Sequence, residues 1–360
     1  MTTKYSKLTA PELDRSLIAE WSNVQRSDPA FSSPFLSPQF TLAVADVRDD
    51  VFVTVIENDG KPVGFFPHQA DGHRALPVGG RLNDCHAVIA SDKAQWSPRD
   101  LVAASGLSLW DFNHLIDSQT QFRPHAHTTA ISPLIDLAKG TDAYLEDRRA
   151  AGSKRVAQFQ RKWRKLLREK GGESEVRFVP RSDDKSALER VIQWKLDQCL
   201  RTGSYPYFNE TWTVDLVHRL HQMEEADFFG ALSVLFVGDT IAAAHFGMAS
   251  DRWWHWWFPT YSNDWSAYSP GGLMLLKLCE HVGSEDATQD TIDLGKGDDV
   301  YKSSFANGEY GLLEGHVANR SAYAVYRSAK RVSRAWARQT PVLEPVRQVR
   351  KRLRERPNQA

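Results

Sequence analysis

The residues whose types and spacing suggest chemistry gather between His245 and Lys302. Thr291-Ile292-Asp293 reads as a short strand, and α/β folds present ligand-facing side chains at strand ends. Asp293 is followed by Gly295, Gly297 and Asp299, then Tyr301 and Lys302. A group transfer to an amine or hydroxyl needs a proton acceptor, and Asp293 and His245 are the available types. Tyr301 could supply a proton, and Lys302 suits an anionic group. Each has a plainer alternative. Asp293 could cap or order a loop, His245 could be a satisfied histidine inside Ala242-Ala243-Ala244-His245-Phe246, and Tyr301 could pack beside a solvated Lys302. Upstream stands the corner Ser269-Pro270-Gly271-Gly272-Leu273. Glycine before a helix frees backbone N–H groups to face an anion, and the helix dipole adds partial positive charge. Ser269, Gly271, Gly272 and Leu273 are therefore candidate cofactor-binding residues. A turn that merely seats the helix on a sheet is the alternative.

These residues need a frame. Trp253 to Tyr261 alternates as a strand, with Trp254, Trp256 and Phe258 on one face. On the other face, Trp253, His255 and Trp257 either stack on sugar rings or pack in a core or interface. Leu273 to Val282 is an apolar helix. A strand–helix–strand connection is right-handed, which sets Asp293 beside the strand from Arg252 to Phe258. Val51–Ile56 and Val63–Pro67 form a hairpin around Asn58-Asp59-Gly60, and Ala231–Val237 with Thr240–Gly247 repeats that pattern. Helices precede both copies and a glycine loop follows both. This order reads as two copies of one α/β unit, with a boundary near Gly140 to Gly152. The expected divisions are 1–150, 151–325 and 326–360, with donor chemistry in the second.

Two stretches are strongly basic. Lys154 to Arg168 reads as a helix that either meets phosphates or presents a solvated face. Residues 326–360 carry many arginines and read as a helical extension and basic tail, suited to peripheral contact with an anionic membrane. His125-Ala126-His127 lacks a third ligand and reads as polar surface, so no metal site is expected.

The totals bound these readings. The chain has 360 residues, 41% hydrophobic and 25% charged, which is the composition of a globular protein of about two domains. Lys+Arg 45 against Asp+Glu 45 leaves no net charge to name a partner. The three cysteines, Cys85, Cys199 and Cys279, have no paired spacing, which argues against a disulfide framework or zinc site. No signal-like N-terminus and no apolar run near the length of a membrane span is present. A cytoplasmic protein, in peripheral contact with a membrane if the basic tail binds one, is expected.

Tyr268-Ser269-Pro270-Gly271-Gly272-Leu273-Met274-Leu275, with Ile292-Asp293-Leu294-Gly295-Lys296-Gly297-Asp298-Asp299-Val300-Tyr301-Lys302, resembles the CelD/BcsL-type acetyltransferases. These are a double-domain branch of the GNAT superfamily related to the Fem aminoacyltransferases and linked to cellulose and exopolysaccharide synthesis. Weaker similarities lie at Asn83-Asp84-Cys85-His86, Trp110-Asp111, Tyr144-Leu145 and Trp194-Lys195. The resemblance implies an α/β fold of tandem GNAT-like domains, each a mixed, mostly antiparallel sheet flanked by helices. It implies acyl transfer, from acetyl-CoA or another acyl-CoA as co-substrate, to an amine or hydroxyl on a small molecule or saccharide precursor. In the GNAT pattern the strand from Arg252 to Phe258 and the strand carrying Asp293 splay apart and the donor enters the gap. One departure is Trp265-Ser266-Ala267-Tyr268, standing where a basic or glutamine side chain and spaced glycines are expected. It leaves open a Fem-like peptidyltransferase using aminoacyl-tRNA, and a catalytically degenerate pair acting as a scaffold in polysaccharide synthesis is the third alternative.

Overall fold

The computed structural model describes residues 2–297 and 299–319. The first part of the chain supplies β1 (Thr3–Thr9), β2 (Val51–Asn58), β3 (Lys61–Asp71), β4 (Arg74–Leu76), β5 (Ile89–Ala90), β6 (Leu109–Ile116) and β7 (Ala126–Asp136). The second supplies β8 (Val176–Val179), β9 (Glu224–Glu225), β10 (Phe228–Val237), β11 (Thr240–Ser250), β12 (Trp253–Tyr261), β13 (Thr291–Asp293) and β14 (Gly308–Ala318). The helices are α1 (Arg15–Ser27), α2 (Pro38–Ala45), α3 (Pro98–Ala104), α4 (Gly140–Ala150), α5 (Lys154–Lys170), α6 (Lys185–Thr202), α7 (Thr211–His221), α8 (Pro270–Val282) and α9 (Val300–Phe305).

Both expected hairpins form. In β2–β3 the turn residues Asp59 and Gly60 have φ of 49° and 79°, the twist that a two-residue hairpin loop demands. In β10–β11 the turn falls at Gly238, φ 57°. Both hairpins carry a register irregularity, between Ile56 and Glu57 in one and between Leu235 and Phe236 in the other.

The strands form one sheet in the order β1-β2-β3-β4-β6-β14-β7-β13-β12-β11-β10-β8. The order is a palindrome: β1, β2, β3, β4 and β6 run inward from one edge as β8, β10, β11, β12 and β13 run inward from the other. At the centre the last strand of each copy changes sides. β7 pairs with β13 and β14 pairs with β6, all antiparallel. The parallel pairs occupy equivalent places too, β4 with β6 and β12 with β13. The fold is therefore the tandem α/β arrangement expected, with its two sheets fused into one.

One core joins the copies. On one face α1, α2, α6 and α7 pack around Trp21, Phe35, Phe40, Leu188, Leu216 and Phe246, all at most 2% exposed. On the other, α4, α5, α8 and α9 pack around Trp254, Leu273, Leu276 and Phe305. A smaller cluster with α3 fills the space near Phe66, Trp110 and Phe122.

Several expectations need correction. The stretch where the copies were expected to meet is helical: Gly140–Ala150 is α4, its Tyr144 ring is buried, and its hydroxyl donates to the Phe305 carbonyl at 2.8 Å. Tyr301 and Lys302 lie on the short helix α9. β1 was missed because Thr3–Thr9 is polar, an edge strand held by its ladder with β2. The alternating face of β12 is not simply divided, since Trp254, His255, Trp256, Trp257 and Phe258 are all buried. Packing therefore accounts for most of that aromatic run. The basic segment 326–360 lies outside the described residues.

Candidate active site

β12 and β13 pair in parallel only from Trp253/Thr291 to His255/Asp293. Beyond that point they part. β12 runs on to Tyr261, while the Leu294 N–H turns away to the Pro133 carbonyl at 3.0 Å. The gap opens into a cleft of about 700 Å³, a volume suited to a cofactor-sized ligand. Trp256, Trp257, Pro259 and Tyr261 line one side, and Leu294, Gly295 and Lys296 the other. α6 contributes Lys195, Gln198 and Cys199, the start of α8 contributes Ser269 to Gly272, and Asp84 reaches in from the first copy.

The α8 corner is built for close approach. Ser269 takes a left-handed φ of 58°, unusual for a residue with a side chain. Its carbonyl accepts the N–H groups of Gly272 and Leu273 at 3.0 and 3.2 Å. Pro270 has no N–H, so the corner offers an anion fewer donors than the sequence suggests. A cation stands there instead: the Lys162 ammonium on α5 donates to the Ser269 hydroxyl at 2.6 Å. The basic face of α5 braces the whole turn. Lys165 lies over Tyr268 and Lys170 over Trp265, at 5.6 and 5.2 Å from the ring centres. The Tyr268 hydroxyl donates to Glu169 at 2.7 Å.

A buried polar chain crosses the cleft floor. The imidazole of His255 donates through Nδ1 to Asp293 and through Nε2 to Asp84, each at 3.2 Å. His255 and Asp293 are fully buried, whereas the Asp84 side chain is 30% exposed. Asp293 also accepts from the Ser132 hydroxyl at 2.7 Å, the Gly295 N–H at 2.9 Å and the Tyr310 hydroxyl at 3.0 Å. Burial alone would depress the His255 pKa, but the two carboxylates outweigh it and carry it up to about 9. For Asp293 and Asp84, burial raises and the imidazolium lowers. The net direction is down for both, so the chain at neutral pH is carboxylate–imidazolium–carboxylate.

Local structure fixes Asp84. The Trp257 indole N–H donates to the Leu82 carbonyl at 3.0 Å. The Asn83 amide donates to the Val78 carbonyl at 2.9 Å, and its oxygen accepts the Cys85 N–H at 2.8 Å. Gly295 has a left-handed φ of 71°, and a Cβ there would be in ordinary contact with the Asp84 carboxylate at 3.5 Å and the His255 ring at 3.6 Å.

The structure sorts the expected site residues. Ser269, Gly271, Gly272, Tyr301 and Lys302 line the cleft. Leu273 does not: it is buried in the core. Asp293 lies behind the cleft, reaching it only through His255 and Asp84. His245 is corrected outright as a base. It is buried, its Nε2 accepts the Trp257 N–H at 3.1 Å, its ring stacks on Trp256 at 4.1 Å, and burial holds its pKa well below the usual value. The Lys302 ammonium is engaged by the carbonyls of Gly295 and Lys296, both at 3.0 Å, so it organises the loop over the gap. Burial drives the Tyr301 hydroxyl up to about 12. Lys296 pairs with Glu314. Lys195, half-buried on α6, faces the cleft, and burial lowers its pKa.

Asp84, His255 and Lys162 were not among the expected site residues. Asp84 stood in a weakly similar stretch, His255 was hidden among tryptophans, and Lys162 was one of many cations on a basic helix. His127 contacts His316, Nε2 to Nδ1 at 2.8 Å, and no group of side chains suited to a metal occurs among the described residues.

Residues 153–303 match the family described as acetyltransferase (GNAT) domain. No curated protein matches the chain in sequence. Among solved structures, FemX is similar with a TM-score of 0.57 at 9% identity, over 89% of this chain and 99% of that one. The C-terminal domain of a putative lysylphosphatidylglycerol synthetase from Agrobacterium fabrum is similar with a TM-score of 0.51 at 11% identity, over 87% and 94%. These likenesses extend over both copies of the α/β unit.

Proposed function

We propose that this chain, an acyltransferase with a GNAT domain over residues 153–303, moves an acetyl group from acetyl-CoA to an acceptor bound in the β12–β13 cleft. One observation carries the reading: the gap between parting parallel strands meets the start of α8, where Lys162 and the Gly271 backbone can receive a pyrophosphate. The transferred group then lies between Trp256 and Gly295. Direct attack on the thioester needs orientation and removal of a proton rather than a covalent enzyme intermediate. The second copy holds the donor and the first supports it, dividing near residue 150. The acceptor is a small molecule or saccharide precursor, in keeping with the resemblance to a group linked to polysaccharide synthesis, and the reaction is cytoplasmic. No helix among the described residues is long and apolar enough to cross a membrane, and any peripheral membrane contact would rest with residues 326–360.

The thin donor set at the α8 corner favours one second reading, an aminoacyl-tRNA donor held by the basic α5 face. A scaffold without activity is disfavoured by a cleft with room for a ligand and a carboxylate at its floor. Thermal denaturation of the full chain decides among these. Acetyl-CoA should raise the midpoint in a saturable way. No shift at millimolar acetyl-CoA would overturn the reading, and stabilisation by aminoacyl-tRNA alone would install the rival.

A further inference from the structure

We propose that Asp84, contributed by the first copy, is the residue that takes the proton from the acceptor, and that His255 and Asp293 are positioning residues for it. This rests on the acyl-CoA reading above. The argument begins with where the chain of hydrogen bonds ends. Asp293 and His255 have no exposed surface, so neither can touch an acceptor. Asp84 is partly exposed, lines the cleft and is tied to His255 at 3.2 Å. The ring of His255 is fixed at its other nitrogen by Asp293, which is itself fixed by Ser132, Tyr310 and the Gly295 N–H. A carboxylate held through an imidazole by a second, fully buried carboxylate is preorganised for one position.

For an amine acceptor, the cationic nitrogen formed on adding to the thioester carries an acidic proton that the Asp84 carboxylate can take. In the step, the nitrogen lone pair forms the N–C bond and the C–S bond breaks. The excess N–H proton passes to Asp84 and then to the departing CoA thiolate. The products are the amide and CoA thiol.

Other titratable groups face this chain. His114 on β6 lies 3.8 Å from Asp84, and burial lowers its pKa. Lys195 on α6 and Lys296 after β13 line the same cleft, Tyr310 on β14 donates to Asp293, and His245 on β11 lies behind β12. Among them, His255 is the group held directly between two carboxylates, at 3.2 Å from each.

The test uses the full chain with acetyl-CoA and hydroxylamine, a small nitrogen nucleophile that is unprotonated at neutral and alkaline pH, and follows acetohydroxamate. Acetyl-CoA binding is measured separately by calorimetry. Asp84→Asn should lower hydroxamate formation about a hundredfold or more while leaving acetyl-CoA affinity unchanged, and Asp84→Glu should restore part of the rate. The wild-type rate should fall as pH rises through about 9, where His255 releases its proton. Asp293→Asn should move that limb to lower pH, a shift that a merely structural role would not give. Full activity in Asp84→Asn or the absence of an alkaline limb would each overturn the assignment, as would acetyl-CoA binding with no enzymatic hydroxamate. Absence of acetyl-CoA binding would instead remove the donor reading. Should Asp84→Asn fail to fold, the wild-type alkaline limb and its movement in Asp293→Asn decide alone.

Discussion

A Cβ added at Gly272 would lie 2.3 Å from the ring of Phe159. The glycine at this position is required by the packing of α8 on α5 as well as by anything the cleft holds. Gly272→Val should therefore destabilise the protein by roughly 1–3 kcal/mol through overpacking, seen as a lower urea midpoint without ligand. Gly271 is the cleaner probe of donor binding. Its added Cβ would meet Tyr261 at 3.4 Å, so Gly271→Ala should keep nearly full stability. A loss of acetyl-CoA affinity in that variant would locate the phosphates beside it.

Lys162 is the cation closest to the α8 corner. Lys162→Ala should weaken acetyl-CoA binding by roughly 1.5–3 kcal/mol, the worth of a hydrogen bond to a charged group. Dephospho-CoA thioesters, which keep the pyrophosphate, should lose as much. Calorimetry against both ligands checks this, and unchanged affinity would move the pyrophosphate away from Ser269.

His255 couples stability to pH. Its pKa is raised from 6.5 to about 9, so its contribution is fully present below pH 6.5 and is lost as pH climbs toward 9. At 1.36 kcal/mol per unit, the loss across this window is at most about 3 kcal/mol. Urea denaturation at several pH values should show wild type losing this increment while His255→Gln does not. Parallel curves would mean the imidazole is not charged in the fold.

Gly247 sits at the irregularity in the β11–β12 ladder. A Cβ there would lie 2.1 Å from the His255 carbonyl oxygen and within 3 Å of the His245 ring. Gly247→Ala should cost more than about 2 kcal/mol, since backbone rather than a flexible side chain must yield. Denaturation measures this directly. The variant should also displace His255 and lower turnover, unlike an equally destabilising change such as Phe122→Leu in the smaller core near α3.

Much of this architecture was legible because it rests on local chemistry. Asp59-Gly60 and Gly238 mark hairpins, and the apolar run after Pro270 marks α8. The right-handed crossover correctly set the Asp293 strand beside the strand Arg252 to Phe258. What could not be read is what distant segments supply. Asp84 and His255 lie 171 positions apart, and nothing periodic links them. Asp293 carries the acidity a catalytic residue needs, but its burial follows from Ser132 and Tyr310, on β7 and β14. His245 and Lys302 were plausible by type. The Trp257 N–H occupies the first and two loop carbonyls hold the second, contacts that side-chain patterns do not announce. Phe159 against Gly272 is of the same kind, a steric demand made from another helix.

The exchange of β7 and β14 at the middle of the sheet constrains how the chain can be made. Until Gly308–Ala318 leaves the ribosome, β6 and β7 have no strand between them and the centre of the sheet cannot close. The first copy therefore waits, with an unpaired strand edge, while more than half of the polypeptide is synthesised. Such long-range pairing is slow, and exposed edges invite association with other chains. Two nascent chains could complete each other by lending β14 across, so that a reciprocal dimer is the natural misassembly product of this topology.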